Sequence, residues 1–285
     1  MFSGWLVYNR EDALRNADYI KWMQEEAGQL NMGLDLVLRE DVSVGVRHGD
    51  LAVQFEGHDL ATRPDFVIVR TVDPLLNEQL EGMGWPTFNN SFVARVCNNK
   101  ALTHQFLAGQ GIPMLDTWFC NTARLSSIPL PYPCVAKTVN GRGGKDVSLL
   151  RDFGDLERFA QKHPQTDVVL QRYGPVPGKD VRVFVIGTRI VAAVLRHSET
   201  DFRANFSLGG HAASYDLSSE QRALVYKVIE KFNFGLVGID FLFDEHGNLV
   251  LNEIEDVVGS RTLSQVHPEI NLVRQYLEFV KTSMA

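Results

Sequence analysis

Residues 235–261 read GLVGIDFLFDEHGNLVLNEIEDVVGSR, and the rest of the chain is organised around them. Two apolar runs, 236–243 and 249–254, flank Asp244-Glu245-His246-Gly247-Asn248, whose polar and glycine content marks a tight hairpin loop. Each run carries acid where a buried strand should be apolar. Asp240 interrupts the first, and Glu253 and Glu255, two residues apart, share one face of the second. Pairing about the loop brings Asp240 roughly opposite Glu253, so three carboxylates converge on one patch. Ionised groups that close repel unless a cation lies between them. Oxygen ligands without cysteine or histidine favour Mg²⁺ or Mn²⁺ over zinc. A solvent-facing acidic strand edge would leave the same pattern, and these residues alone do not separate the two.

The chain of 285 residues is long enough for two or three lobes around a sizeable core. Hydrophobic residues make up 45% and charged residues 22%, which excludes a disordered chain, and a net charge of -7 argues against nucleic acid as the main partner. The N-terminus has no basic segment and too short an apolar run for a signal peptide, and no stretch is long and apolar enough for a membrane span. A cytoplasmic protein without a membrane partner is expected. Cys97, Cys120 and Cys134 form no C-x-x-C pair and read as reduced core thiols.

From the N-terminus to about residue 90 the signals alternate: strand 5–8, helix 11–30, strand 34–38, an edge hairpin near 50–55 and the buried strand 66–69. This β-α-β pattern suggests a small, open parallel sheet, and the absence of G-x-G-x-x-G argues against a dinucleotide. Ligands of such sheets lie beyond the carboxyl ends of the strands. Arg10 and Arg70 follow two of those ends, so they are candidate substrate contacts, with exposed loop charges as the plain alternative.

A helix is expected over 92–111, with Asn98 or Asn99 as a cap, followed by a Ser/Pro-rich linker over 126–133. Next comes a strand, 134–139, with Lys137 in its middle. A lysine on a buried strand needs an anion or an acid. The strand runs into Asn140-Gly141-Arg142-Gly143-Gly144-Lys145, where glycines free the backbone N–H groups and two cations stand ready for phosphate oxygens. A glycine-rich hairpin turn is the other reading. Strand 168–173 ends in Gln171-Arg172-Tyr173 at a Pro/Gly hinge. Strands 181–185 and 190–195 precede the loop 196–211, and Ser218-x-x-Gln221 opens a helix with a capping box. An amphipathic helix over 268–280 closes the chain.

Taken in order, Lys100, Lys137, the glycine loop, Gln171-Arg172-Tyr173, Asp180-Val181-Arg182, Asp201-Phe202-Arg203-Ala204-Asn205 with Gly209-Gly210, Asp240 and Glu253-Ile254-Glu255 resemble the ATP-grasp superfamily. The RimK-type glutamate ligases are the most similar branch. The resemblance is strongest over 99–259 and weaker over 66–90. It implies an α/β (α+β lobes) ATP-grasp fold in three parts: an N-terminal domain with a small parallel sheet over 1–95, a central lobe with a glycine-rich lid over 96–174, and a C-terminal lobe with the metal site over 175–285. It also implies ATP and two Mg²⁺ ions as cofactors, with Mn²⁺ as a substitute. By similarity Lys100 and Lys137 contact phosphates, and Gly141, Arg142, Gly143, Gly144 and Lys145 form the lid. Gln171, Arg172 and Tyr173 lie at the adenine edge and Asp180 near the ribose. Arg182, Arg203 and Asn205 act at the γ-phosphate and the activated carboxylate. Asp240, Glu253 and Glu255 hold the metal.

Two departures stand out. Glu255 replaces the family's asparagine, adding a negative charge. The family's small-residue-plus-proline loop becomes Asp256-Val-Val-Gly-Ser-Arg261, in which only Gly259 is retained, so Gly259 and Arg261 are candidates at the acceptor site, with Arg261 suited to a carboxylate. The expected activity is ATP-dependent joining of a carboxylate to an amine through an acyl phosphate, on an amino acid or peptide, with a protein tail as an open alternative. A kinase using the same machinery, or a nucleotide-binding regulator without turnover, are the rival readings. The resemblance leaves room for a homo-oligomer. The scattered histidines 104, 197, 211 and 267 read as surface or satisfied polar residues, with His197 and His211 near enough to Arg203 to touch substrate.

Overall fold

The computed structural model describes residues 1–125, 128–144, 146–204 and 210–285. Its first lobe runs β1 (Phe2–Tyr8), α1 (Arg10–Arg15), α2 (Ala17–Gln29), β2 (Met32–Leu38), β3 (Val42–Arg47), β4 (Asp50–Phe55), β5 (His58–Asp59), β6 (Phe66–Val69), α3 (Pro74–Gly82) and β7 (Thr87–Phe88). The order β2-β1-β6-β7 is parallel throughout, and β3-β4-β5 forms a small separate antiparallel sheet. A parallel sheet is covered on both faces, which is why β6 is apolar at every position. Phe66 and Ile68 pack with Met23 and Ala27 of α2, while Val67 and Val69 pack with Leu76 and Leu80 of α3. The helix expected over 11–30 is two helices. Asn16 closes α1 and opens α2.

The helix expected over 92–111 also divides, into α4 (Ser91–Cys97) and α5 (Lys100–Ala108). The Asn99 side chain accepts from the Leu102 amide and starts α5, which puts Lys100 at its first position. The middle sheet holds β8 (Thr117–Asn121), β9 (Cys134–Thr138), β10 (Val147–Leu150) and, after α6 (Phe153–Lys162), β11 (Asp167–Arg172), in the order β10-β9-β11-β8. Leu156 and Phe159 of α6 fill the core behind it.

The last sheet has five strands, in the order β14-β13-β12-β15-β16. They are β12 (Lys179–Ile186), β13 (Arg189–His197), β14 (His211–Ser214), then after α7 (Ser219–Ile229), β15 (Leu236–Phe243) and β16 (Leu249–Glu255); α8 (Arg261–Val266) and α9 (Leu272–Ser283) end the chain. The Ser218/Gln221 capping box on α7 forms as read. One face of this sheet is apolar from end to end, with Val181, Val183, Ile239, Phe241 and Leu251 packed against Val93 and Cys97 of α4 and Leu107 of α5. Helix α5 therefore shares its core with the last sheet. The opposite face is divided. Phe184, Ile186 and Leu236 meet α9 and the first lobe, while Asp180, Arg182, Arg196, Glu253 and Glu255 line the end that faces the middle sheet, with Asp240 buried beneath the arginines.

Candidate active site

A cleft of ≈ 330 Å³ separates the middle sheet from the polar end of the last one. Most residues singled out in the sequence line it, from Lys100 and Lys137 through residues 141–144, 171–173, Asp180, Arg182 and Arg203 to Glu253, Glu255, Gly259 and Arg261. Lys145 and Asn205 lie outside the described residues.

Lys137 stands on β9 with only 8% of its surface exposed. Its ammonium donates to Gln171 Oε1 and to Asn252 Oδ1, each at 2.8 Å. Burial pulls its pKa down to about 8, against the opposing pull of Glu253. Lys100 reaches the same floor from α5, donating to the Gly141 carbonyl at 2.6 Å and pairing with Glu253 at 3.3 Å. The Gly141–Gly144 turn passes over these amines with positive φ at Gly143 and Gly144. Arg203 ties that turn to the loop after β13. It donates to the Gly144 carbonyl at 2.6 Å and is held by Asp201 at 2.7 Å. Tyr173 faces Phe202 with ring centroids 6.3 Å apart at the hinge side of the cleft. Gln171 is buried there, with its amide nitrogen unpartnered.

The acids behave differently from the sequence expectation. Asp240 does lie directly across from Glu253. Its side chain, however, is 1% exposed and filled by arginine: Arg182 donates to both of its oxygens at 2.7 Å, and Arg196 adds a third hydrogen bond at 2.8 Å. Burial alone would raise the Asp240 pKa; the two guanidiniums outweigh it and hold the carboxyl at about 2. Asp180, expected beside a ribose, is likewise taken at both oxygens by Arg196, at 2.7 Å. Among the described residues no three carboxylate, histidine or cysteine side chains gather as a metal cage. What remains is a pair. Glu253 and Glu255 have side chains 32% and 33% exposed and both line the cleft, Glu255 pairing with Arg182 at 2.7 Å. Two carboxylates on one strand face, countered for the moment by Lys100 and Arg182, are an oxygen donor set that fits a hard divalent cation. Asp240, the third acid of the expected trio, is held by Arg182 and Arg196, which reach it from strands that are distant in sequence.

Three further expectations change. Arg10 lies away from the cleft, exposed, with its guanidinium 3.6 Å from Asp41. Arg70 is buried beneath the cleft wall, not in it: it donates to the Val258 carbonyl at 2.9 Å and to Tyr8 at 3.3 Å, with Tyr19 beneath its guanidinium. It therefore pins the loop that carries Gly259. The Arg172 side chain turns to Glu245 in the hairpin loop. His197 and His211 stack on each other outside the cleft lining.

Residues 97–280 match the family described as the RimK-like ATP-grasp domain. The chain belongs to that family. As a RimK-like ATP-grasp protein it is an ATP-dependent, ADP-forming carbon–nitrogen ligase that uses ATP and a divalent metal. Its relatives include human N-acetylaspartylglutamate synthase A, 30% identical over 86% of this chain and 67% of that protein. A probable alpha-L-glutamate ligase of Legionella pneumophila (strain Corby) is 31% identical over 71% and 69% of the two chains. In fold, a RimK domain ATP-grasp protein from Sphaerobacter thermophilus superposes with a TM-score of 0.74 over 97% of this chain and 98% of the other, at 19% identity. D-alanine–D-alanine ligase from Bacillus anthracis, complexed with ATP, gives 0.72 over 100% and 97%, at 11% identity. No helix among the described residues of this RimK-like chain is long and apolar enough to cross a membrane.

Three residues of the RimK-like site escaped the sequence reading. Arg196 sits at the end of β13, where the apolar pattern had already stopped and a loop was expected. Asn252 accepts from Lys137, and His104, read in the sequence only as a surface or satisfied polar residue, meets the Asn252 carbonyl. A lysine on a buried strand demands acceptors, and that demand was the one signal pointing to Asn252.

Proposed function

We propose that the protein joins the carboxylate of an amino acid or short peptide to an amine, and that the divalent metal is Mg²⁺, two ions with Mn²⁺ as a substitute, held by Glu253 and Glu255. The observation that carries this reading is the meeting of Lys100, Lys137, the 141–144 turn, Arg182, Arg203, Glu253 and Glu255 in one cleft. Phosphoryl transfer needs charge neutralised and reactants aligned more than it needs covalent help.

In the first step a carboxylate oxygen of the substrate attacks the γ-phosphorus and the bond to the β-phosphate oxygen breaks, releasing ADP. In the second the amine nitrogen attacks the acyl carbon, phosphate leaves and the nitrogen loses a proton. Lys137 and Lys100 hold the α- and β-phosphates, and the turn closes over them. Arg203, anchored to the Gly144 carbonyl, couples that closure to the charge developing on the transferred group and on the later tetrahedral oxyanion. Arg182 faces the activated carboxylate, and a cation held by Glu255 would release it from that pair. A divalent ion on the glutamate oxygens would offset the phosphate charges. Arg261, at the start of α8 and in the cleft lining, suits a carboxylate of the substrate. No side chain is required as a base, because a deprotonated amine suffices. We place the reaction in the cytoplasm, where the free thiols of Cys97, Cys120 and Cys134 are at home.

Pairs of amino acids and acidic metabolites screened for ADP release with Mg·ATP test this reading, with hydroxylamine added to trap the acyl phosphate. A hydroxamate is expected. Turnover that yields no hydroxamate and leaves phosphate on an alcohol would make the protein a kinase.

A further inference from the structure

Strand β16 carries one residue more than its ladder uses. Phe241 pairs with Leu251 and Asp240 with Glu253, so Asn252 has no partner across the hairpin. Without Asn252 the alternation would already be regular: Leu249, Leu251 and Ile254 point to the apolar core, and Glu253 and Glu255 to the cleft. The extra residue is therefore not needed to aim the glutamates, and it interrupts the ladder. It supplies two polar contacts instead. Its backbone carbonyl meets Nε2 of His104 at 2.8 Å, and its side-chain oxygen accepts from the Lys137 ammonium at 2.8 Å.

His104 projects from α5 and is 2% exposed, with its ring edge-on to Phe119. A carbonyl only accepts, so Nε2 carries the ring proton. Nδ1 is buried without a partner. Burial lowers the pKa to about 4, so the ring is neutral. An imidazole this deep, with one nitrogen idle, is a poor choice for filling a core. Its single polar commitment is the carbonyl of the surplus residue.

We propose that His104 and Asn252 form a positioning pair for the phosphate-binding lysine: the imidazole pins the bulge of β16, and the bulge presents an amide oxygen that, with Gln171, fixes the Lys137 ammonium at the cleft floor. The proposal rests on the nucleotide reading of the cleft and deepens it. Lys137 belongs to the middle sheet and Asn252 to the last, so the contact also sets the spacing of the two walls.

The test compares wild type with His104→Gln, His104→Leu and a deletion of Asn252, each checked for cooperative urea unfolding, then titrated with ATP and assayed for KM and kcat. The glutamine amide can donate where Nε2 does, so His104→Gln should bind ATP within about threefold of wild type. His104→Leu and the deletion, which keeps Asp240 opposite Glu253, should each weaken ATP binding by about tenfold or more and raise KM for ATP, with kcat changed by less than about threefold. A cooperatively folded His104→Leu or deletion variant that binds ATP like wild type overturns the proposal, as does a His104→Gln variant that folds and is as weak as His104→Leu. Wild-type protein that binds no ATP sinks the nucleotide reading instead. The pair is then judged by the Lys137 ammonium signal in ¹H–¹⁵N spectra, protected in wild type and lost on deletion of Asn252; its persistence would refute the pair.

Discussion

Asp240 is buried between two guanidiniums, and its acid–base behaviour follows from that placement. Its folded pKa, about 2, is below that of an unfolded aspartate, so the arginine pairs contribute fully above about pH 4 and their contribution is lost as pH falls through 2. The contribution is worth ~2 kcal/mol. Urea unfolding between pH 6 and pH 2 should show this fall in wild type and a shallower one in Asp240→Asn. Lys137 works in the opposite range. With its pKa lowered to about 8, the unliganded amine loses charge above that pH, so ATP affinity measured by titration calorimetry should weaken above pH 8 in wild type. In Lys137→Met it should be weak and independent of pH. Lys137, Glu253 and Glu255 were legible because each breaks an apolar run. The arginine cage of Asp240 was not, since Arg182 and Arg196 come from two other strands and only the sheet order makes them neighbours. Asn252 looked like an ordinary strand residue, because spacing does not reveal a bulge.

Among the elements, the hairpin was the most legible, since its polar loop fixes the register of 241–243 against 249–251; the bulge at Asn252 then shifts it by one residue and puts Asp240 across from Glu253. Helix breaks were harder to see. Periodicity runs through Asn16 and Asn98-Asn99 without a glycine or proline; at the first joint the Asn16 side chain donates back to the Asp12 carbonyl, and at the second the Asn99 side chain caps α5. The lid's glycines were legible, and their separate jobs follow from geometry. A Cβ on Gly141 would lie 2.3 Å from Thr138 Oγ1 and 3.2 Å from Asp146 Cβ, so either the Thr138 side chain or the turn must give, and a shift of the turn carries with it the Gly141 carbonyl that anchors Lys100. Gly141→Ala should raise KM for ATP by about tenfold, while thermal unfolding stays near that of wild type. A variant with unchanged KM would separate the turn from phosphate binding. Ser218→Ala removes the cap of α7, far from the cleft, and should cost about 1 kcal/mol in urea unfolding with KM unaltered.

Across the whole molecule, α9 returns the end of the chain to the first lobe, where Leu272, Val273, Tyr276 and Leu277 share one core with Leu6, Ile68, Phe184 and Leu236. Because the first lobe and the last sheet are joined through this core, Leu277→Ala, at a position 0% exposed, should lower stability by about 2–5 kcal/mol and move a single unfolding transition. The net charge of -7 conceals a cleft in which Lys100, Lys137, Arg182 and Arg203 converge, a distribution suited to drawing in a triphosphate. The most direct test is a crystal structure with a nonhydrolysable ATP analogue and Mg²⁺. The expected result places the phosphates against Lys100 and Lys137 beneath residues 141–144, with metal on Glu253 and Glu255 and Asp240 still held by Arg182 and Arg196. A nucleotide bound elsewhere, with both glutamates turned to solvent, would contradict it.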